Sequence, residues 1–415
     1  MIIKNFKSLA TNQLRKDALE IVNQGIETVL TKQSMSKQIK ISNNILKIQD
    51  NQWNLSNYSR IFVIGAGKAA ANMAGTIEQI LEDKITKGIV IDTRKRQLSK
   101  IKVVKGTHPI PSETNIKATN EIIALLKESK KDDLIISLIS GGGSALMLSP
   151  RISLNEQIKV SKMLLERGAT IQEINTIRKH ISNIKGGQLA KLTSSKMITL
   201  IISDVMTNDL NVIASGPTVN DPTTIADAIR ISKKYHLPDL PFVETPKEKL
   251  YNVTNILLIT NIPAAEAMKE RALSLGYKAK ILTTQLKGEA KEVGRNLSNQ
   301  LKPNTALIAT GETTVNVKGM GKGGRNQELA LSASRFIKNG VIISCSSDGV
   351  DFITQASGGI VDEYTKDKAK KLGLNINNFI KNNDSYNLLR KVNGIIKTGK
   401  TGTNVGDLIL VIGKK

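Results

Sequence analysis

Sulfur, aromatic rings, histidine and acid are all scarce in this chain, and each shortage removes a class of function. Cys345 is the one cysteine in 415 residues, so no intrachain disulfide forms and a zinc cluster built on several thiolates is excluded. Its place inside the apolar stretch 341–347 predicts a buried strand thiol. Aromatic residues make up 3% of the chain. That is too few for the exposed ring platforms on which single-stranded nucleic acids stack, and it leaves Ile, Leu and Val to build the core. No apolar run approaches the roughly 20 residues that span a bilayer, and residues 1–10 lack the continuous apolar segment of a signal peptide. The expectation is a soluble, cytoplasmic protein with no membrane partner. Acid is short too: 36 Asp and Glu stand against 60 Lys and Arg, a net charge of +24. The basic residues form no dense block, the longest cluster being Arg94-Lys95-Arg96. Such a spread suits a solvated surface that steers small anions, and nucleic acid is not expected as a partner.

What the chain does have is length and a 40% hydrophobic content, enough for two domains with a large core. Apolar strand-like runs alternate with helical periods from end to end, which gives an α/β class with mostly parallel sheets. Leu9, Leu14, Ala18, Ile21, Val22, Ile26 and Val29 recur at three- and four-residue spacing and predict one or two amphipathic helices within 3–36. Three prolines and several charges at 236–248 mark a linker. The expected domains are therefore 1–240 and 241–415, with the last strand, about 404–415, packing on either one.

Glycine-rich turns carry the chemistry. In the first half, the strand Arg60–Ile64 runs into Gly65-Ala66-Gly67-Lys68-Ala69-Ala70 and then a helix, a G-x-G-x-x-A dinucleotide-binding turn. The next strand ends at Asp92, where such turns hold a ribose. Lys68 either meets phosphates in the turn or points to solvent from a first helical turn. A second strand ends in Ser140-Gly141-Gly142-Gly143-Ser144 before a helix, a nest of backbone N–H groups suited to an anion. It is not the G-x-S-x-G of a serine nucleophile. His108, within Gly106-Thr107-His108-Pro109, is either a structural or a substrate-contacting histidine. Residues 154–193 read as helical, with Arg178 and Lys185 either reaching an anion or simply solvated. Asp204 ends a strand, a place for chemistry or for a turn cap, and Ser215-Gly216-Pro217 punctuates the polar loop that follows.

In the second half, an apolar run reaches Gly311-Glu312-Thr313, then a short β-like piece, 314–317. A loop with Gly319, Gly321, Gly323 and Gly324 carries Lys318, Lys322 and Arg325 to a helix starting at Asn326. Glycines let backbone N–H groups approach a ligand, and a helix start favours an anion. Ser347-Asp348-Gly349-Val350-Asp351 offers two carboxylates for a metal, or an ordinary Asp-Gly turn. Gly399-Lys400-Thr401 matches only the end of a P-loop, without the earlier glycine, and is not read as one.

Together, Gly65-Ala66-Gly67-Lys68-Ala69, Gly106-Thr107-His108-Pro109, Ser140–Ser144, Ile202-Ser203-Asp204-Val205, Ala214-Ser215-Gly216-Pro217, Gly311-Glu312-Thr313, Gly323–Glu328, Ser347–Asp351 and Thr401-Gly402-Thr403-Asn404 resemble the glycerate 2-kinase family, whose C-terminal part is the MOFRL domain. The resemblance implies a Rossmann-like N-terminal domain with a mostly parallel sheet, a smaller α/β MOFRL domain, and an active site in the cleft between them. It implies transfer of the ATP γ-phosphate to the 2-hydroxyl of D-glycerate, giving 2-phosphoglycerate and ADP, with Mg2+ as the metal. Lys68 and Arg325 are then the catalytic cations. Substrate and nucleotide fall to Gly67, Ser140, Gly141, Gly142, Gly143, Ser144, Ser215, Gly216, Glu312, Asn326 and Asn404. Asp204, Asp348 and Asp351 are the metal candidates, unranked. A homodimer is compatible with this reading. The competing reading is an NAD(P)-dependent hydroxypyruvate reductase, resting on the first glycine turn with Asp92, Arg94 and Arg96. The lysine that crowds that turn and the second basic glycine loop count against it.

Overall fold

The computed structural model describes all residues except Met206, Ile353 and Thr354. Its contacts divide the chain into two compact units: residues 34–259, and residues 1–33 together with 260–415. Both departures from the expected boundary at 240 have a physical cause. The proline-rich segment 236–248 is docked and is not a linker. Leu240 and Thr245 are buried, Val243 N donates to His180 O at 2.9 Å, and Leu237 and Phe242 pack on the cluster around Ile174 and Ile177.

The first 33 residues side with the C-terminal half because of helix α1 (Gln13–Thr28), whose apolar face buries Ala18, Leu19, Ile21, Val22 and Ile26. Asn12 caps it by accepting from Arg15 N at 2.8 Å. The Arg15 guanidinium pairs with Asp362 at 2.9 Å, with both side chains almost wholly buried. Tyr277 donates its hydroxyl to Asp17 at 2.6 Å.

In the unit 34–259, a small antiparallel sheet (Ile39–Ser42, Ile45–Ile48, Asn51–Asn54) precedes six strands. These are β1 (Ile61–Ala66), β2 (Ile85–Asp92), β3 (Ile101–Lys105), β4 (Leu134–Ile139), β5 (Lys196–Ile202) and β6 (Val253–Ile259). All pair in parallel, in the order β3-β2-β1-β4-β5-β6. Helices α2 (Ala70–Leu81) and α3 (Glu113–Glu128) are crossovers. Strands β1 and β4 are buried along their whole length, which is why they read as unbroken apolar runs. The order turns back between β1 and β4. In such sheets ligands bind at the carboxyl ends of the strands beside that reversal. The stretch expected to be helical over 154–193 is two helices, Leu154–Glu166 and α4 (Ile171–His180), followed by turns.

The other unit carries β7 (Lys278–Leu286), β8 (Thr305–Gly311), β9 (Gly340–Ser346), β10 (Gly358–Asp362), β11 (Ile395–Ile396) and β12 (Asp407–Gly413), ordered β7-β8-β12-β9-β10-β11. The last strand thus belongs to this sheet and lies inside it. Only β7 and β8 are parallel; β12 runs antiparallel to both of its neighbours, as do β9, β10 and β11 to theirs. The sheet is mixed where a mostly parallel one was expected, because a fully buried apolar strand carries no sign of its direction. Residues 314–317 form no strand and contribute one bridge, Thr314 to Glu289. Cys345 is buried within β9, as expected, and burial pushes its thiol pKa up. Among the described residues no helix is long and apolar enough to cross a membrane.

Arg15→Ala would strand the Asp362 carboxylate inside the protein. Its urea unfolding midpoint is expected to fall by an amount corresponding to about 3–5 kcal/mol. A midpoint equal to the wild type would contradict the docking of α1 through this pair.

Candidate functional site

The loops after β1 and β4 meet at the strand-order reversal. Gly67 has φ +143°, and a Cβ there would lie 2.0 Å from Ser140 Oγ, so only glycine permits the approach. Lys68 N donates to Gly141 O at 2.9 Å and Ser140 N to Ala66 O at 3.1 Å. Ala69 N donates to Ser140 Oγ at 3.1 Å. Ser140 therefore clamps the two loops together.

Gly142, at φ +82°, faces His108 and the stem of Lys68, whose Cδ2 and Cγ lie 3.0 and 3.3 Å from where its Cβ would be. Asn115 seats the His108 loop there, accepting from Thr107 N at 3.0 Å and donating to Ala145 O at 2.9 Å. Burial, then the Lys68 charge, pulls the His108 pKa down to about 4, so the ring is neutral at pH 7. The Asp204 carboxylate presses on the same loop, its Oδ2 only 1.8 Å from the position a Gly141 Cβ would take. Gly143 lies buried at the start of the short helix Gly143–Leu146. Ser144 and Ser215 share a hydrogen bond of 2.9 Å, and Ser215 donates to Asn175 at 2.9 Å. Ala214, Ser215 and Gly216 all have left-handed φ (+52°, +62° and +60°). For the two non-glycine residues this costs about 1–3 kcal/mol each, strain of the kind that collects at functional sites.

Asp92 takes another part. It is buried, and it accepts from Ala71 N at 2.9 Å and Arg94 N at 3.0 Å, so its carboxylate caps α2 from the neighbouring strand. Arg94 donates to Lys68 O at 2.9 Å. The acid expected at a ribose is spent on the fold.

In the other unit, strand register aligns Gly311 with Asp407 and Asp407 with Ser346, so Glu312 and Asp348 follow strands that end at one edge. Helix α6 (Arg325–Ala333), with α5 (Ala290–Ser298) packed beside it, opens there. Arg325 grips Asp407 with two hydrogen bonds, of 2.6 and 2.9 Å, and pairs with Glu312 at 2.6 Å. Burial alone would lower its pKa, but these carboxylates overturn that and raise it. Asn326 donates to Asp407 at 2.9 Å and accepts from Ser344 at 2.6 Å, which makes it a brace. Asp351 is buried over the first turn of α6, accepting from Gln327 N at 2.9 Å and Asn326 N at 3.2 Å. The helix start expected to take a ligand anion holds the protein's own carboxylate. Asp348 makes an Asx turn, accepting from Val350 N and Ser346 Oγ, both at 2.9 Å. Asn404 is buried in the loop before β12. The glycine loop turns its N–H groups inward: Met320 N, Gly321 N and Lys322 N donate to Asn382 and Asp384. Beside Glu312, Arg325 and Phe352 lies a cavity of about 430 Å³.

Three residues outside the expected set of site residues belong to these clusters. Asp407 was visible as the one acid heading an otherwise apolar terminal strand. Lys185 is buried and donates to Ser144 O at 2.8 Å and Met147 O at 3.3 Å. Arg178 is half-buried, and burial lowers its pKa. The sequence left both cations open between solvent and anion, and only the packing decides.

Among the described residues no group of three or more His, Cys, Asp or Glu is arranged to hold a metal ion, and Asp348 and Asp351 already accept from protein donors. A magnesium ion held by one carboxylate together with nucleotide phosphates still fits, because Mg2+ keeps most of its waters. Asp204 stands against the glycine loop.

Two family models match the chain: a domain of unknown function, DUF4147, over residues 17–244 and the MOFRL family over residues 305–407. A glycerate 2-kinase of Pyrococcus horikoshii is 39% identical, covering 96% of this chain and 97% of its own. A D-glycerate 2-kinase of Thermotoga maritima is also 39% identical, over 96% and 98%. A relative from Agrobacterium vitis with a provisional hydroxypyruvate reductase name is 36% identical over 85% and 87%. The crystal structure of a glycerate kinase from Thermotoga maritima superposes with a TM-score of 0.86 at 37% identity, covering 96% of this chain and 99% of that one.

Burial raises the Asp351 pKa to about 6, above its unfolded value of about 3.9. A raised carboxyl contributes stability that is complete below the unfolded pKa and is lost as pH climbs through the folded one. The stability of Asp351→Asn relative to wild type is therefore expected to rise between pH 4 and 6.5 in urea titrations. A difference that does not change with pH would contradict this burial.

Proposed function

The chain belongs to the glycerate 2-kinase family, and from that premise we propose that it transfers the γ-phosphoryl group of ATP to the 2-hydroxyl of D-glycerate, yielding 2-phosphoglycerate and ADP. The observation that carries the reading is the pairing of Lys68 with the glycine loop 141–143 at the strand-order reversal, with Asp204 against that loop. Phosphoryl transfer asks a protein for positioning and charge neutralisation more than for covalent chemistry. Lys68 supplies a cation for the transferred group, and the neutral His108 ring beside it adds no competing charge. The backbone N–H groups of Gly141 and Gly142 receive ligand oxygens. Magnesium, when bound with the nucleotide, offsets phosphate charge, with Asp204 as its protein ligand.

Arg325 is the second cation of the proposal. Its guanidinium is oriented before any ligand arrives by Asp407, whose side chain is 1% exposed, and by Glu312, which is 47% exposed. Glu312 is therefore the partner that an arriving anion displaces, while Asp407 keeps the guanidinium plane in place. Donors aimed in advance at developing charge contribute more than donors that must reorganise.

The reductase reading is the weaker one, since Asp92, its ribose-binding acid, is committed to the start of α2.

Initial-rate assays with ATP, magnesium and D-glycerate test the proposal. Wild type is expected to form ADP in step with phosphoglycerate. Lys68→Ala and Arg325→Ala are each expected to lower kcat by about 10²–10³. Wild-type turnover in both variants would remove them from the mechanism. Oxidation of NADH or NADPH by hydroxypyruvate, with no ATP-dependent product, would favour the reductase.

A further inference from the structure

On α4 two donors stand without acceptors among the described residues, the Asn175 amide N–H and the Arg178 guanidinium. Asn175 and Arg178 stand three residues apart and so share a face of the helix. Asn175 is 3% exposed; its Oδ1 accepts from Ser215, and its Nδ2 has no acceptor among the described residues. Arg178 has no hydrogen-bond or ion-pair partner among the described residues, whereas its neighbour Lys179 holds Asp221 at 3.0 Å. Lys185 lies buried beneath Ser144, and the one charge that acts on it is that of Arg178, a like charge. Lys185 has carbonyl oxygens alone as acceptors, Arg178 and the Asn175 N–H have none, and among the described residues no carboxylate offsets the two cations, an arrangement that is costly to bury. Together they complement an oxyanion.

We propose that Arg178 and Asn175, with Lys185 behind them, form the subsite for the carboxylate of the hydroxy-acid substrate and so set the preference for an acid over a neutral polyol. This rests on glycerate being the acceptor. A nucleotide phosphate has the same oxyanion chemistry, so the test must separate the two. Burial pulls the Lys185 pKa to about 7. An anion at this place raises it again, and binding above pH 7 takes up a proton.

The experiment measures KM for D-glycerate and for ATP in wild type, Arg178→Met, Arg178→Lys and Asn175→Ala, with circular dichroism as the check on folding. Wild type comes first: if it neither binds nor phosphorylates D-glycerate, the functional reading fails, and the subsite with it. If wild type is active, Arg178→Met is expected to raise KM for glycerate tenfold or more and to leave KM for ATP within twofold. Arg178→Lys is expected to recover part of the loss. Asn175→Ala carries the same test should Arg178→Met fail to fold. A rise in KM for ATP alone would assign the donors to nucleotide phosphate and overturn the proposal. So would unchanged constants, or equal loss for both substrates. Calorimetry of glycerate binding at pH 8, in buffers of different ionisation enthalpy, gives an independent reading. Proton uptake that disappears in Lys185→Met supports the subsite, and uptake that persists there, or none in wild type, opposes it.

Discussion

Gly67 and Ser140 touch because the parallel sheet changes direction of winding between β1 and β4, and much of the proposed site follows from that contact. Two chain segments leave the sheet there side by side, and the missing Cβ lets one backbone rest on the other. The Ser140 hydroxyl and the Gly141 carbonyl then fix where Lys68 begins. His108, Asp204 and the Ser144–Ser215 pair gather on the same loop from three other segments. Strand ends and buried hydrogen bonds set their positions.

Electrostatics divide between the units in different ways. In the unit 34–259, cations stand near the loop with little acid to oppose them: Lys68, Arg178 and Lys185, against Asp204. In the unit containing residues 260–415, Arg325 is held by Asp407 and Glu312 while Asp351 lies close by. The first arrangement carries more base than acid. The second is balanced in advance and offers a precisely aimed guanidinium at the cost of its free charge. The excess of base over acid in the composition therefore says little about either site, because most of it is spread over the surface.

The elements that were legible in the sequence are those whose signal is local. The strand, glycine turn and helix at 60–81, the strand and triple glycine at 133–146, and the start of α6 all stand where their residues place them. What misled was side-chain destination. Asp92 sits at the spacing of a ribose-binding acid but faces a helix start left uncapped by Ala69. The loop 319–324 has the composition of a phosphate cradle, yet its N–H groups face Asn382 and Asp384, partners some 60 residues away that no local pattern reveals. Asp407 escaped notice for the same reason, and Arg178 stayed open between solvent and anion. Whether a charge is neutralised depends on strands and helices brought together only by the fold. The prolines at 236–248 looked like a boundary because proline marks irregular chain, docked or free.

A crystal structure of the protein with a non-hydrolysable ATP analogue, magnesium and D-glycerate tests the central claim most directly. The account predicts ligand oxygens against the N–H groups of Gly141 and Gly142 and within reach of Lys68 Nζ. Ligands bound elsewhere, with the Gly67–Ser140 loops bare, would contradict it.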